Sequence, residues 1–328
     1  MTDVHPAFQT VSFRRGILLA TAAFLIVLSV DFFVKFYRSI SDYLVNQRSE
    51  ETVVANQSEN FTESSQGNIL TALLPALAPK PGPGPGETRL SPVDGMIMVY
   101  VPGDRPPVTV ESDQNLIPGD RKSFKAYLDS FWISQTQVTN AMYAKCVAAG
   151  GCPPALRKSI NPHYYDPKYA NHPTVYVTWY YAMDYCKWVG GRLPTEAEWE
   201  RAARDGGTRI YPWGNSGPGS KRANVNNLNS TTVAVGSYPA GASYYGVLDM
   251  SSNVREWVFN WYSLNRYSGF TPYNYMGPKD GTERVLKGAS WHDTGQTIFV
   301  SHRFSHDPGS AGDNRGFRCI VAPRNVEK

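Results

Sequence analysis

Between residues 292 and 307 the chain carries His292, Asp293, His302, His306 and Asp307. Two imidazoles and a carboxylate form a facial set that suits iron, and His302 and His306, four apart, would share one face of a helix. Pro308-Gly309 and Gly312 follow closely and read as loop, which removes the helix that would bring the rings together. Iron is therefore not expected, and solvated or turn-capping histidines are the simpler reading.

The other reactive side chains are four cysteines, which allow three pairings. Cys146 and Cys152 flank Gly150-Gly151, close enough to join as a local staple, and that would leave Cys186 and Cys319 to close a long loop. Such bridges stabilise an exported domain and would stay reduced in cytosol. No Cys-x-x-Cys occurs and no Cys stands beside a His, so neither zinc binding nor thiol catalysis is signalled.

The elements that must position these residues are short and well punctuated. Gly95 to Val101 is apolar, β-branched and closed by Pro102-Gly103, hence a strand, and Ala126 to Ile133 is a second strand-like run. Thr139 caps a helix that runs to Gly150-Gly151, and Thr178 opens another to Val189 with Trp179, Ala182, Cys186 and Val189 on one face. Thr195 and Glu198 form a capping box for a third helix, with Trp199 at the fifth position and Gly206-Gly207 as its stop. From Tyr211 onward helices disappear, and turns alternate with short runs such as Val233 to Tyr238 and Arg284 to Lys287. The class is α+β with a large irregular fraction.

With 328 residues, 18% charged residues, 20 Tyr, 8 Trp, 28 Gly and 24 Pro, the composition fits a loop-rich domain with an aromatic core. A formal charge of +4 without a Lys/Arg block excludes nucleic acid as an evident partner. Residues 1–15 form a short tail. Arg14-Arg15 precede an apolar stretch from Gly16 to Val34, interrupted by Asp31 and followed by Lys35 and Arg38, which reads as an uncleaved transmembrane anchor over 16–38. The expected orientation is N-terminus inside and main domain outside, in the periplasm, lumen or extracellular space; Asp31 sits at the outer interface or faces a second subunit. Residues 39–94 form a juxtamembrane segment and linker that culminates in Pro81 to Gly86, with sequons at Asn56 and Asn60. A domain over 95–323 and a tail over 324–328 complete the chain.

Several motifs in order carry a resemblance: Val138-Thr139-Asn140, His172-Pro173 to Trp179, Gly191-Arg192-Leu193-Pro194-Thr195-Glu196-Ala197-Glu198-Trp199-Glu200, Tyr211-Pro212-Trp213-Gly214, Asn253-Val254-Arg255-Glu256-Trp257, Arg284 to Trp291, and Gly316-Phe317-Arg318-Cys319. Together they resemble the formylglycine-generating enzyme, or sulfatase-modifying factor, family. The resemblance implies a fold related to C-type lectins and a Cys186–Cys319 disulfide. It also implies that two copper-binding cysteines would fall near Gly295 and Val300, yet no cysteine occurs between Ala289 and Arg318. Gly and Val supply neither a soft copper ligand nor a redox thiolate, so copper and formylglycine formation are not expected. Structural calcium is implied near Asn224 and Val225 and near Asn253, Val254 and Glu256, although Ser252 replaces a usual Gly and Arg255 brings a cation beside the second set.

The function these readings favour is a membrane-anchored, non-catalytic binding or assembly domain. Its candidate ligand face is Tyr262, Tyr267, Tyr273, Tyr275, Trp291 and His292, with His302 and His306. Its partner is a protein, peptide, glycan or membrane subunit. The alternative is an oxidoreductase that converts a protein cysteine to formylglycine or performs another metal-dependent oxidation.

Overall fold

The helix that begins after Thr195 shows how local chemistry and tertiary burial meet in this protein. In the computed structural model, which describes residues 83–103, 108–111, 123–156, 161, 163–205, 208–264 and 273–323, all these parts belong to one compact unit, Gly82–Lys328. The Thr195 hydroxyl accepts from the Glu198 amide at 3.2 Å and the Glu198 carboxylate accepts from the Thr195 amide at 2.7 Å, completing the capping box. Arg192 grips the same carboxylate with two guanidinium nitrogens, each at 2.7 Å. All residues of this helix, Glu196–Arg204, are buried.

Thr139 and Thr178 cap the other two main helices as expected. These are α1, Asn140–Ala148, and α2, Trp179–Trp188, so the Thr195 helix is α3; a single further turn, Gly219–Arg222, is α4. α2 buries Trp179, Ala182, Tyr185 and Cys186, while Val189 serves as its C-cap.

Among the described residues the strands are β1 Thr88–Leu90, β2 Ile97–Val101, β3 Val108–Glu111, β4 Ser123–Ala126, β5 Phe131–Ser134, β6 Arg255–Trp261, β7 Arg284–Lys287, β8 Phe304–His306, β9 Arg315–Phe317 and β10 Ile320–Val321. One sheet has the order β1-β2-β5-β10, another β8-β7-β6-β9, and β3 pairs with β4. Val99, Ile133 and Ile320 stand opposite one another across the first sheet. In the second sheet β6 meets β9 in parallel and β7 antiparallel. Its successive side chains go to different cores: Trp257 and Leu286 pack with Tyr143, Cys186 and Phe317, whereas Val258 and Val285 pack with Trp199, Val99 and Ile133. Burial on both faces explains why Arg284–Lys287 lacks an exposed polar side.

The first sheet begins at Thr88, upstream of Gly95, because β1 pairs with β2. The run from Ala126 to Ile133 is not one strand: β4 ends at Ala126 and β5 starts at Phe131. Val233 to Tyr238 forms bends and turns, while short helical turns at Gly219–Arg222, Pro239–Gly241 and Gly295–Ile298 occur where none are expected. α3 stops on Asp205, whose left-handed φ of 56° forms the cap; Gly206-Gly207 lie outside the described residues. So do the expected anchor over 16–38, the linker through residue 82, Tyr267 and the tail over 324–328. Among the described residues no helix is long and apolar enough to cross a membrane.

Both disulfides are present, Cys146–Cys152 at the end of α1 and Cys186–Cys319 between α2 and the approach to β10. Beside the second, the chain passes so close that a β-carbon on Gly191 would lie 2.1 Å from the Ile320 carbonyl oxygen. Arg192 and Ile320 exchange two backbone hydrogen bonds there, at 3.0 and 2.9 Å. The two bridges close loops of very different length, with sequence separations of 6 and 133. On the chain-entropy account, removing Cys186–Cys319 with paired alanines costs roughly 2–3 kcal/mol more than removing Cys146–Cys152. Urea unfolding of the two double variants measures this, and equal losses would contradict it.

Candidate functional site

After β7 the backbone turns at Gly288, which has a positive φ of 75° and whose β-carbon would lie 2.8 Å from the Met250 carbonyl oxygen. This close passage leads into Ser290 to Asp293. Asp293 holds the loop: its Oδ2 accepts from the Ser290 amide at 2.8 Å and the Ser290 hydroxyl at 2.7 Å. Arg255, the first residue of β6, donates to the same carboxylate through Nε at 2.9 Å and through Nη2. Its guanidinium lies 3.6 Å from the centroid of the Phe304 ring. Arg255 therefore pairs with Asp293, not with its neighbour Glu256.

Backbone bonds tie this loop to two others. The Trp291 amide donates to the Asn253 carbonyl, and the Asn227 and Asn226 amides donate to the carbonyls of Trp291 and Asp293. Asn226, Asn227 and Asn253 all adopt left-handed backbone conformations, which asparagine tolerates better than most residues. On this frame Trp291 and His292 meet edge to face at 5.0 Å, with the His292 side chain 38% exposed.

The other expected face residues do not join this pair. His302 is buried against Phe304, and its carbonyl accepts from Lys287. His306 is exposed on β8 with Nδ1 2.8 Å from the Ser310 hydroxyl. The two rings share no helical face because the backbone there enters a strand, and Asp307 spends its carboxylate on the Gly309 amide. Among the described residues no group of three or more His, Cys, Asp or Glu is placed to hold a metal ion. Tyr262 packs on the core beneath the Arg303 guanidinium, and Tyr275 is buried. Tyr273 is exposed but stacks on Tyr127 at 4.9 Å. Next to it, Asn274 and Asp129 exchange two hydrogen bonds at the wall of a cleft of about 780 Å³ that also reaches Arg192 and Glu198.

A third arrangement lies inside the protein. Glu256 is fully buried, and its Oε1 accepts from Arg318 Nη2 at 2.8 Å and Gln137 Nε2 at 3.0 Å. Its Oε2 accepts from Arg318 Nε and Trp199 Nε1, both at 2.7 Å. The Gln137 nitrogen is also 3.3 Å from the Asp249 carbonyl oxygen and 3.1 Å from those of Ser252 and Val254. At the other end of the same amide, Oε1 is buried without a hydrogen-bond partner. Burial raises the pKa of the adjacent Asp249 carboxyl, against the Gly236 amide and Arg318, which favour its ionised form.

Val254 and Glu256 meet Asp249, Ser252 and Gln137 around one amide, and these three were not among the residues expected to hold calcium. Carbonyl and carboxylate oxygens together with an orphaned amide oxygen are a donor set that fits a hard cation. The side chains of Asn253 and Asn224, the latter expected with Val225 at a separate site, are directed elsewhere: Asn253 binds the Val233 backbone through both amide atoms, and Asn224 donates to the Thr231 carbonyl and accepts from Asn229. No local signal marks Gln137, because its partners lie more than a hundred residues away.

Burial alone would raise the Asp293 pKa, but the hydrogen bonds and charge of Arg255, with the two Ser290 donors, hold it below the usual carboxylate value. A depressed folded pKa adds stability that is complete above the unfolded value of about 3.9 and is lost as pH falls below it. Asp293→Asn should therefore reduce stability at pH 6 while shrinking the loss between pH 5 and pH 3. Urea midpoints across that range test this, and an unchanged acid limb would contradict it.

The comparisons with known proteins agree with this architecture. Residues 87–323 match the sulfatase-modifying factor enzyme 1-like domain. The serine/threonine-protein kinase pkn1 of Chlamydia caviae is 35% identical over 209 residues, covering 59% of this chain and 33% of that protein. The formylglycine-generating enzyme of Streptomyces coelicolor is 40% identical over 167 residues, covering 45% of this chain and 52% of that protein. The chain thus spans between a third and about half of the length of these relatives. The structure of PvdO from Pseudomonas aeruginosa aligns over 74% of this chain and all of that one, with a TM-score of 0.61 at 24% identity. The chain belongs to the sulfatase-modifying factor enzyme 1-like, or formylglycine-generating enzyme, family.

Proposed function

We propose that this protein uses the family's fold for binding or assembly rather than for cysteine oxidation. The observation that carries this reading is the distribution of thiols. The chain has four cysteines, all four form disulfides, and none lies between Ala289 and Arg318, the stretch the family resemblance assigns to its chemistry. A disulfide sulfur is neither the thiolate that binds copper(I) nor the one-electron donor that cysteine oxidation needs.

The same bridges suit an oxidising compartment, and with the apolar stretch from Gly16 to Val34 they support a membrane-tethered domain on the extracytoplasmic side. Its recognition surface is the loop of Trp291 and His292, held from below by Arg255 and Asp293. A hard cation among Val254, Glu256 and their neighbours belongs to this reading as a structural element that fixes the underside of the same loops.

The second reading is oxidation of a protein cysteine, and the 40% identity to the Streptomyces coelicolor enzyme favours it. One assay separates the two. Detergent-purified full chain, supplied with copper(I), oxygen and a cysteine-containing sulfatase peptide, should yield no aldehyde above a protein-free control. Turnover that disappears on chelation would establish the oxidase instead. The assembly reading has its own check: in mild detergent the full chain should co-purify with a stoichiometric membrane partner, and Trp291→Ala with His292→Ala should release that partner without lowering Tm. A monomer alone would contradict it.

A further inference from the structure

Gln137 connects β5 to α1, and its side chain is completely buried. A primary amide has two protons. Four oxygens nevertheless surround its nitrogen, at 3.0 Å for Glu256 Oε1, 3.1 Å for the carbonyls of Ser252 and Val254, and 3.3 Å for that of Asp249. At least two of these contacts therefore lack a proton of their own, while Oε1 of the same group has no donor. A buried polar atom without a partner is costly, so this amide is poorly served at both ends.

Turning the amide by half a turn about its last torsion exchanges nitrogen and oxygen. Five oxygens would then face one another, which is repulsive unless a cation lies between them. Neighbouring oxygens bound to one calcium ion at about 2.4 Å are themselves about 3–3.4 Å apart. The 3.0–3.3 Å spacings around the amide nitrogen fall in that range. The Glu256 carboxylate is paired with Arg318, and the Asp249 carboxyl lies beside the set against the Gly236 amide at 2.7 Å and the Ser252 hydroxyl at 3.4 Å.

We propose that Gln137 is a two-position residue. It presents Oε1 to a hard cation held with Glu256 and the carbonyls of Asp249, Ser252 and Val254, and it turns Nε2 inward as a neutral substitute when the cation leaves. The proposal rests on the cation reading of Val254 and Glu256. It adds that this domain keeps its fold without the ion, because the amide protons replace part of what the ion supplies. With one carboxylate in the set, already shared with Arg318, the site binds calcium weakly, in the 10⁻⁴–10⁻³ M range of extracellular modules.

The test uses the full chain in mild detergent, stripped with chelator and dialysed, with Tm followed against CaCl2 and with MgCl2 and NaCl as controls. Wild type should rise in Tm with calcium up to roughly 10 mM and remain folded in chelator. Gln137→Glu, which has no protons to offer the four oxygens, should lower Tm in chelator and reduce the half-saturating calcium concentration by about 10-fold, because it adds ligand charge. Gln137→Met, similar in volume and without hydrogen-bonding atoms, should lose the calcium response. Should the methionine variant fail to fold, the glutamate variant decides. A wild-type Tm indifferent to calcium removes the cation reading and this proposal together. A wild-type response retained in Gln137→Met, or unchanged affinity in Gln137→Glu, removes the two-position role of Gln137 and leaves the cation reading standing.

Discussion

Arg318 and Glu256 are both fully buried, and five segments, most of them distant in sequence, meet at their contact. The guanidinium spends Nε and Nη2 on the Glu256 carboxylate, Nη1 on the carbonyls of Ser134 and Gln135, and Nη2 again on that of Leu248. β5, β6, the Leu248 loop and the approach to β10 are thereby held at one charge, and Trp199 brings α3 to the same carboxylate. Burying two ions is expensive, and an apolar pair of equal volume can be as stable; removing one partner alone leaves an uncompensated charge and costs about 3–5 kcal/mol.

α3 repeats this logic on a larger scale. Its sequence, from Glu196 to Arg204, looks like a helix for the surface, with five charged residues and one tryptophan. In the fold Glu200 takes both Lys287 and Arg204, Glu196 takes Arg303, and Glu198 takes Arg192. Hydrophobic patterning fails at such a helix because its burial is paid for by partners in β7 and in the segment before β8, far away in sequence. The boundaries remained legible: a capping box is decided by four consecutive residues, and Thr195 and Glu198 sufficed to place its start.

The site divides along the same line. The Cys146–Cys152 staple could be read from spacing, and a motif sufficed to anticipate Cys186–Cys319. Val254 and Glu256 are legible together because they sit two apart in one motif. Gln137, which bonds to both, is not, since only the tertiary fold brings it to them. The aromatic face was misjudged for a related reason: Tyr262, Tyr275 and His302 have side chains suited equally to a core or a surface, and tertiary contacts put Tyr275 and His302 inside and pack Tyr262 against the core. Trp291 and His292 stayed outside because Asp293 turns back to bond Ser290 and pushes the intervening pair outward.

Arg318, Cys319 and β10 come last among the described elements, yet each completes something begun far earlier. Ile320 is the outer neighbour that β5 lacks until then, and the carbonyl packed against Gly191 belongs to the same residue. During synthesis, the earlier segments must therefore wait with an open sheet edge, an unmatched Glu256 and a free thiol at Cys186. Closure is a late event triggered by a few residues, which makes this a domain that a chaperone or thiol oxidase has a long interval to attend and a truncated chain has no means to finish.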